Sequence, residues 1–202
     1  MSYFPRFSLL LACLVSVTLI GCRSETNSLS QSSASEQLQS LSPEEEEQVD
    51  TLMAKGNQKL ADGEYQAAIA EFNQALAIDE TNAEALGYRG VARSRLEDYQ
   101  GALGDYNQAL ALDSEAYEFY YNRGITQTHL KDYESAIEDF SEAIAYKPDF
   151  APAFANRGFA YAEIENYKAA IDNLEKAAQL FEDKGNQRTS YRLQRAARYI
   201  QP

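Results

Sequence analysis

The chain is predicted to be all-α, a solenoid of four stacked helical hairpins ended by a closing helix, on three observations. The first is a fixed period of 34 residues. Gly124, Tyr133, Ala136, Phe140, Ala143 and Pro148 recur as Gly90, Tyr99, Ala102, Tyr106, Ala109 and Ser114 one step upstream, and as Gly56, Tyr65, Ala68, Phe72, Ala75 and Glu80 two steps upstream. One step downstream the slots hold Gly158, Tyr167, Ala170, Leu174, Ala177 and Glu182. A period in this range marks supersecondary units that bury their apolar faces only by stacking on neighbours. The second observation is the glycine column itself: glycine inside a helix costs about 1 kcal/mol against alanine, so its recurrence calls for a close helix approach. Ala68, Ala102, Ala136 and Ala170, each twelve residues later, are the expected small partners. The third is punctuation. Asp62-Gly63-Glu64, Glu97-Asp98, Lys131-Asp132 and Glu165-Asn166 fall within hairpins, and Asp79 to Asn82, Asp113-Ser114, Pro148-Asp149 and Asp183 to Asn186 fall between them.

In chain order, residues 1–21 open with one basic residue, Arg6, and the apolar run Ser8 to Ile20, which is short for a membrane span and suits the core of an export signal. Leu19-Ile20-Gly21-Cys22 resembles the lipobox of bacterial lipoproteins. That resemblance implies acylation of Cys22, which becomes the new N-terminus and holds the chain to a membrane through its acyl chains. Residues 22–42 then form a tether rich in Ser, Gln, Asn and Thr, with too few large apolar side chains to repay ordering. Ser42-Pro43-Glu44-Glu45 reads as a helix start, with serine as cap, proline at the first helical position and glutamate three residues on. The first helix is expected to run to about Ala61. Repeats follow at 49–82, 83–116, 117–150 and 151–184, all within a domain spanning 43–200. The closing helix, 187–200, sets Leu193, Ala196, Ala197 and Ile200 on one stripe that should cover the last hairpin. Its Arg188, Arg192, Arg195 and Arg198 are expected to pair with the acidic hairpins, with anionic lipid headgroups as the alternative.

Composition narrows the chemistry. Thirty-one acidic against eighteen basic side chains give a net charge of −13, which argues against a nucleic-acid partner because phosphate binding requires a basic footprint. Both cysteines, Cys13 and Cys22, precede the repeats, so the repeats hold neither a disulfide nor a thiolate. The single histidine, His129, has no cysteine or second histidine to join it and is read as a solvated residue near a helix end. No catalytic constellation, metal site or cofactor is expected, and the chain is not expected to be an enzyme.

The residue before each repeat glycine is basic: Lys55, Arg89, Arg123 and Arg157. Sixteen residues after each stands Glu71, Asp105, Asp139 or Asn173. These columns are expected to be internal structural pairs, since guanidinium and carboxylate form planar two-point contacts. In the fourth repeat Asp172 is a candidate stand-in for the missing carboxylate.

The order glycine, aromatic, alanine, aromatic, alanine, proline on a 34-residue period resembles the tetratricopeptide repeat (TPR) family. The resemblance implies a right-handed superhelix in which the first helix of each hairpin lines a concave groove, with facing residues two and three before and one after the repeat glycine. On this chain those slots are Met53, Ala54 and Asn57; Gly87, Tyr88 and Val91; Tyr121, Asn122 and Ile125; and Ala155, Asn156 and Phe159. Asn122 and Asn156 resemble family asparagines that hold an extended peptide backbone, an amide being able to donate and accept at once. Tyr88, Val91, Tyr121, Ile125 and Phe159 would form the apolar wall. The slots that grip a C-terminal carboxylate in some family members are mostly neutral here. The expected function is a lipid-anchored scaffold binding a protein or extended peptide on the exported side of the bacterial envelope. The absence of an aspartate after Cys22 weighs toward the outer membrane where one exists. The alternative is a structural subunit of an envelope assembly, a pilus or outer-membrane complex, with self-association left open.

Overall fold

The computed structural model describes residues 41–200; the signal segment, Cys22 and the tether to residue 40 lie outside the described residues. Nine helices and no strand are present among the described residues: α1 (Pro43–Ala61), α2 (Tyr65–Ile78), α3 (Ala83–Arg95), α4 (Tyr99–Leu112), α5 (Tyr117–His129), α6 (Tyr133–Tyr146), α7 (Ala151–Glu163), α8 (Tyr167–Asp183) and α9 (Gln187–Tyr199). The pairs α1/α2, α3/α4, α5/α6 and α7/α8 are the hairpins, and each hairpin's second helix packs on the first helix of the next. The odd-numbered helices also touch one another in succession while the even-numbered ones do not. The odd helices therefore form the inner, concave layer of the superhelix.

Local sequence sets the helix ends. At α1 the full capping box forms: the Ser42 side chain accepts from the Glu45 backbone N–H, and the Glu45 carboxylate accepts from the Ser42 N–H at 2.8 Å. Asn82, Asp98, Asp132, Asn166 and Asn186 each accept from a backbone N–H three residues on, satisfying a donor that the new helix leaves free. The tight turns share a left-handed residue at the same repeat position. Gly63 takes φ 78°, and Glu97, Lys131 and Glu165 take 63°, 62° and 61°.

The core is an alternation of small and large. Ala68, Phe72 and Ala75 on α2, Ala102, Tyr106 and Ala109 on α4, Ala136, Phe140 and Ala143 on α6, and Ala170, Leu174 and Ala177 on α8 are fully buried. The repeat glycines also meet the large member of this set, a contact the sequence pattern does not assign to them. A Cβ added at Gly56, Gly90 or Gly124 would run into the ring of Phe72, Tyr106 or Phe140, sixteen residues on. At Gly158, where leucine replaces the ring, the backbone of Ala170 also comes close, as the glycine–alanine pairing expected from the sequence requires. In the first three hairpins the glycine leaves room for an aromatic ring, and in the fourth for Leu174.

The closing helix covers the last hairpin. Leu193 and Ala197 are buried with Leu174, Ala177 and Ala178 of α8, and Ala196 and Ile200 pack against that cluster. Its four arginines depart from expectation: among the described residues Arg188, Arg192, Arg195 and Arg198 make no ion pair. Their spacing sets Arg188, Arg192 and Arg195 on the side of α9 opposite the buried Leu193 and Ala197, away from the acidic hairpins they were expected to meet.

Candidate functional site: the concave cleft of α5 and α7

The expected groove slots do not behave alike along the array. In the second repeat neighbouring side chains fill them, and in the first only Met53 is covered. Met53 is buried, Gly87 lies under the Phe119 ring, and Tyr88 is stacked on Phe72 at 6.2 Å and meets the edge of Phe119 at 5.8 Å. Burial lifts the Tyr88 phenol above its ordinary value. Val91 is half-buried beside the Leu86, Tyr106 and Phe119 cluster. Ala54 and Asn57 are exposed at the open end.

In the last two repeats a cleft of about 250 Å³ opens, lined by Ile125, Thr128 and His129 of α5, Phe140 of α6, and Asn156 and Phe159 of α7. Ile125, Thr128 and His129 share one face of α5 by their spacing of three and four. Phe140, fully buried, is the floor, and Phe159 stands in the wall 45 % exposed. His129 closes one end with its ring parallel to that of Tyr99 at 5.2 Å. Three of the expected groove residues, Ile125, Asn156 and Phe159, meet here. Thr128, His129 and Phe140 were not among them, although Thr128 and His129 lie one helical turn beyond Ile125 on the same face.

The other slots turn inward. Tyr121 packs on Phe140 at 5.9 Å and on Phe150 at 4.9 Å, and burial raises its phenol above the usual range. Its hydroxyl accepts from the Asn156 amide at 3.0 Å, which fixes that amide with its carbonyl end free to face a ligand. Asn122 donates to the Glu118 carbonyl of its own helix at 2.8 Å, leaving its oxygen as the group open to a partner.

Beneath the cleft run the charge columns. Arg89 holds Asp105 by two bonds, Nε to Oδ2 at 3.1 Å and Nη2 to Oδ1 at 2.7 Å, and Arg93 adds a second cation at 2.8 Å. Arg123 holds Asp139 in the same fork at 2.8 and 2.6 Å. Burial pushes the Asp139 carboxyl up from its ordinary value, while its bonds to Arg123 raise the guanidinium further. Arg157 meets Asn173, not Asp172, through Nε to Oδ1 at 2.8 Å, and burial draws its value down. Among the described residues no ion pair joins Lys55 to Glu71. Each arginine also reaches backward into the preceding hairpin: Arg89 to Asn73 at 2.8 Å, Arg123 to Asn107 at 2.7 Å, and Arg157 to Ser141 at 2.9 Å. The columns are therefore staples between repeats as well as pairs within them.

An array of stacked helical hairpins with a half-open inner face defines a helical-repeat solenoid. The tetratricopeptide-repeat profiles match residues 117–150 and 151–184, and a TPR repeat profile matches 56–97, together more than half the chain. The chain belongs to the tetratricopeptide repeat family. No curated protein matches it. Among solved structures it is similar to the MamA protein, at 22 % identity over 75 % of this chain and 91 % of that one with a TM-score of 0.61. It is similar to Pseudomonas aeruginosa pilF at 22 % identity over 76 % of this chain and 78 % of that one, with a TM-score of 0.62. It is also similar to the first TPR domain of Spaghetti (RPAP3) bound to the HSP90 peptide SRMEEVD, at 24 % identity over 59 % of this chain and 94 % of that one, with a TM-score of 0.57. These likenesses concern the fold.

Proposed function

We propose that the chain is a binding scaffold whose α5/α7 cleft holds an apolar side chain of an extended partner segment, carried on the exported side of a bacterial envelope membrane by acylation of Cys22. The cleft carries this reading: where the α3 slots Gly87, Tyr88 and Val91 are covered by neighbouring side chains, Phe159 of α7 stays 45 % exposed beside a cavity of about 250 Å³. That volume suits one large side chain, while the free oxygens of Asn122 and Asn156 lie on the helices flanking it and can accept backbone N–H donors. The neutral lining favours an internal segment over a free C-terminal carboxylate.

A photo-reactive side chain at Phe159 should capture one discrete partner in intact cells, whereas the same probe at Gln108 of α4 should not. Thr128→Arg, which fills the cleft, should remove the capture. Equal capture at both positions, or capture that survives Thr128→Arg, overturns the reading. For the anchor, Cys22→Ser should abolish fatty-acid labelling and membrane fractionation; continued labelling overturns that half alone.

A further inference from the structure

The outer face of α9 is the one strongly basic surface of an acidic chain. Helical spacing sets Arg188, Tyr191, Arg192, Arg195, Arg198 and Tyr199 within roughly 120° of arc at about 100° per residue. All six are exposed, Tyr191 by 61 % and Tyr199 by 75 %. The helix carries no acidic residue, and its opposite side, Ser190, Leu193 and Ala197, is committed to α8. Arg195 lies 5.7 Å above the Tyr199 ring. Arg198 shares a shallow recess with Glu175 of α8 yet forms no ion pair with it. Four exposed arginines that make no ion pair among the described residues, in a chain of net charge −13, present this face to a negative surface.

We infer that this face is a docking site for an anionic lipid bilayer. The face is the convex side of a helix with long cationic side chains spread along its length, which matches a plane of headgroups better than a single anionic side chain. Tyrosines suit that plane, with a ring for the acyl boundary and a hydroxyl for the headgroups. The acidic helix start at Glu44 to Glu47 lies at the other end of the array, so the field of an anionic membrane repels that end and draws α9 in. Residues 22–42 would span up to about 70 Å when extended, enough for a chain held at Cys22 to lay α9 on the bilayer; this step alone rests on the anchor proposed above.

The sequence contains no tryptophan, so Tyr191→Trp in the full chain gives a single reporter on the face. Vesicles of phosphatidylcholine with brominated acyl chains, with and without phosphatidylglycerol, supply the quencher, and flotation reports association by any route. Quenching should be at least about twofold stronger on the phosphatidylglycerol vesicles and should fade with added salt, each basic residue at such a surface contributing roughly fivefold to partitioning. Replacing the four arginines by glutamine should abolish the difference, and replacing them by lysine should retain it. Equal quenching on both vesicles, or no response to salt, overturns the inference. Flotation without quenching also overturns it while leaving the anchor intact. A spectral shift that grows with protein concentration in the absence of vesicles assigns the face to a second copy of the chain and overturns it as well.

Discussion

Lys131 carries a cost that its equivalent, Gly63, does not. Both sit in the left-handed region at the same place in the repeat, and a side chain there costs about 1 to 2 kcal/mol that glycine escapes, against about 0.5 to 1 kcal/mol of extra chain entropy lost by glycine on folding. Lys131→Gly should therefore raise stability by about 0.5 to 1 kcal/mol, and Gly63→Ala should lower it by about 1 kcal/mol. Urea denaturation of the two variants decides this; a destabilised Lys131→Gly would show that the lysine side chain makes up the difference. A second residue argument concerns Asp139, which is 4 % exposed and forked by Arg123. Asp139→Ala strands a guanidinium that is itself four-fifths covered, and the expected loss is about 2 to 4 kcal/mol, with a double-mutant cycle against Arg123→Ala showing coupling above about 1 kcal/mol. Zero coupling would mean that solvent replaces the fork at no cost.

The elements follow from local rules, and their stability should titrate accordingly. The Glu45 carboxyl is held below its ordinary value by the Ser42 backbone N–H and then by the Ser42 hydroxyl. A depressed folded value means that the box supports α1 above the ordinary carboxylate range and loses that support as pH falls through the folded value. Hydrogen exchange of the α1 amides should quicken on acidification, and Glu45→Gln should flatten that response. A variant as acid-sensitive as the parent would assign the effect to another carboxylate. The cap, the turns and all nine helices were legible in the sequence because each depends on residues within a few positions. The cleft was only half legible. Repeat slots located Ile125, Asn156 and Phe159, but a slot does not say what the next hairpin projects into it, so Tyr88, sandwiched by Phe72 and Phe119, looked like open wall. The ring contact of the glycine column was missed for a related reason: the alanine and the ring recur on the same period, and only packing shows that the glycine also faces the ring. The α9 arginines were placed among acidic partners by net charge, a property of the whole chain that carries no direction.

At the scale of the molecule, stability is a sum of hairpin terms and nearest-neighbour terms, since each hairpin touches only the next. Substitutions should accordingly divide into two kinds. Lys131→Gly alters one hairpin's own term and should leave unfolding a single transition. Arg123 belongs to the other kind, because it bonds forward to Asp139 in its own hairpin and backward to Asn107 in the one before. Arg123→Ala removes the bond to Asn107 across the junction where α4 meets α5 and leaves Asp139 of its own hairpin buried without its cation. The loss, about 3 kcal/mol or more for an unpaired buried charge, is large against the total stability of a domain this size, about 5 to 15 kcal/mol. Coupling between the first two hairpins and the last two, closed by α9, should then fall below what holds the array to one cooperative step. Urea unfolding of Arg123→Ala should broaden or divide into two transitions with a reduced m-value, and hydrogen exchange should show α1 to α4 opening apart from α5 to α9. A single transition of unchanged m-value, shifted only in midpoint, would show that apolar contacts across the junction suffice without the staple.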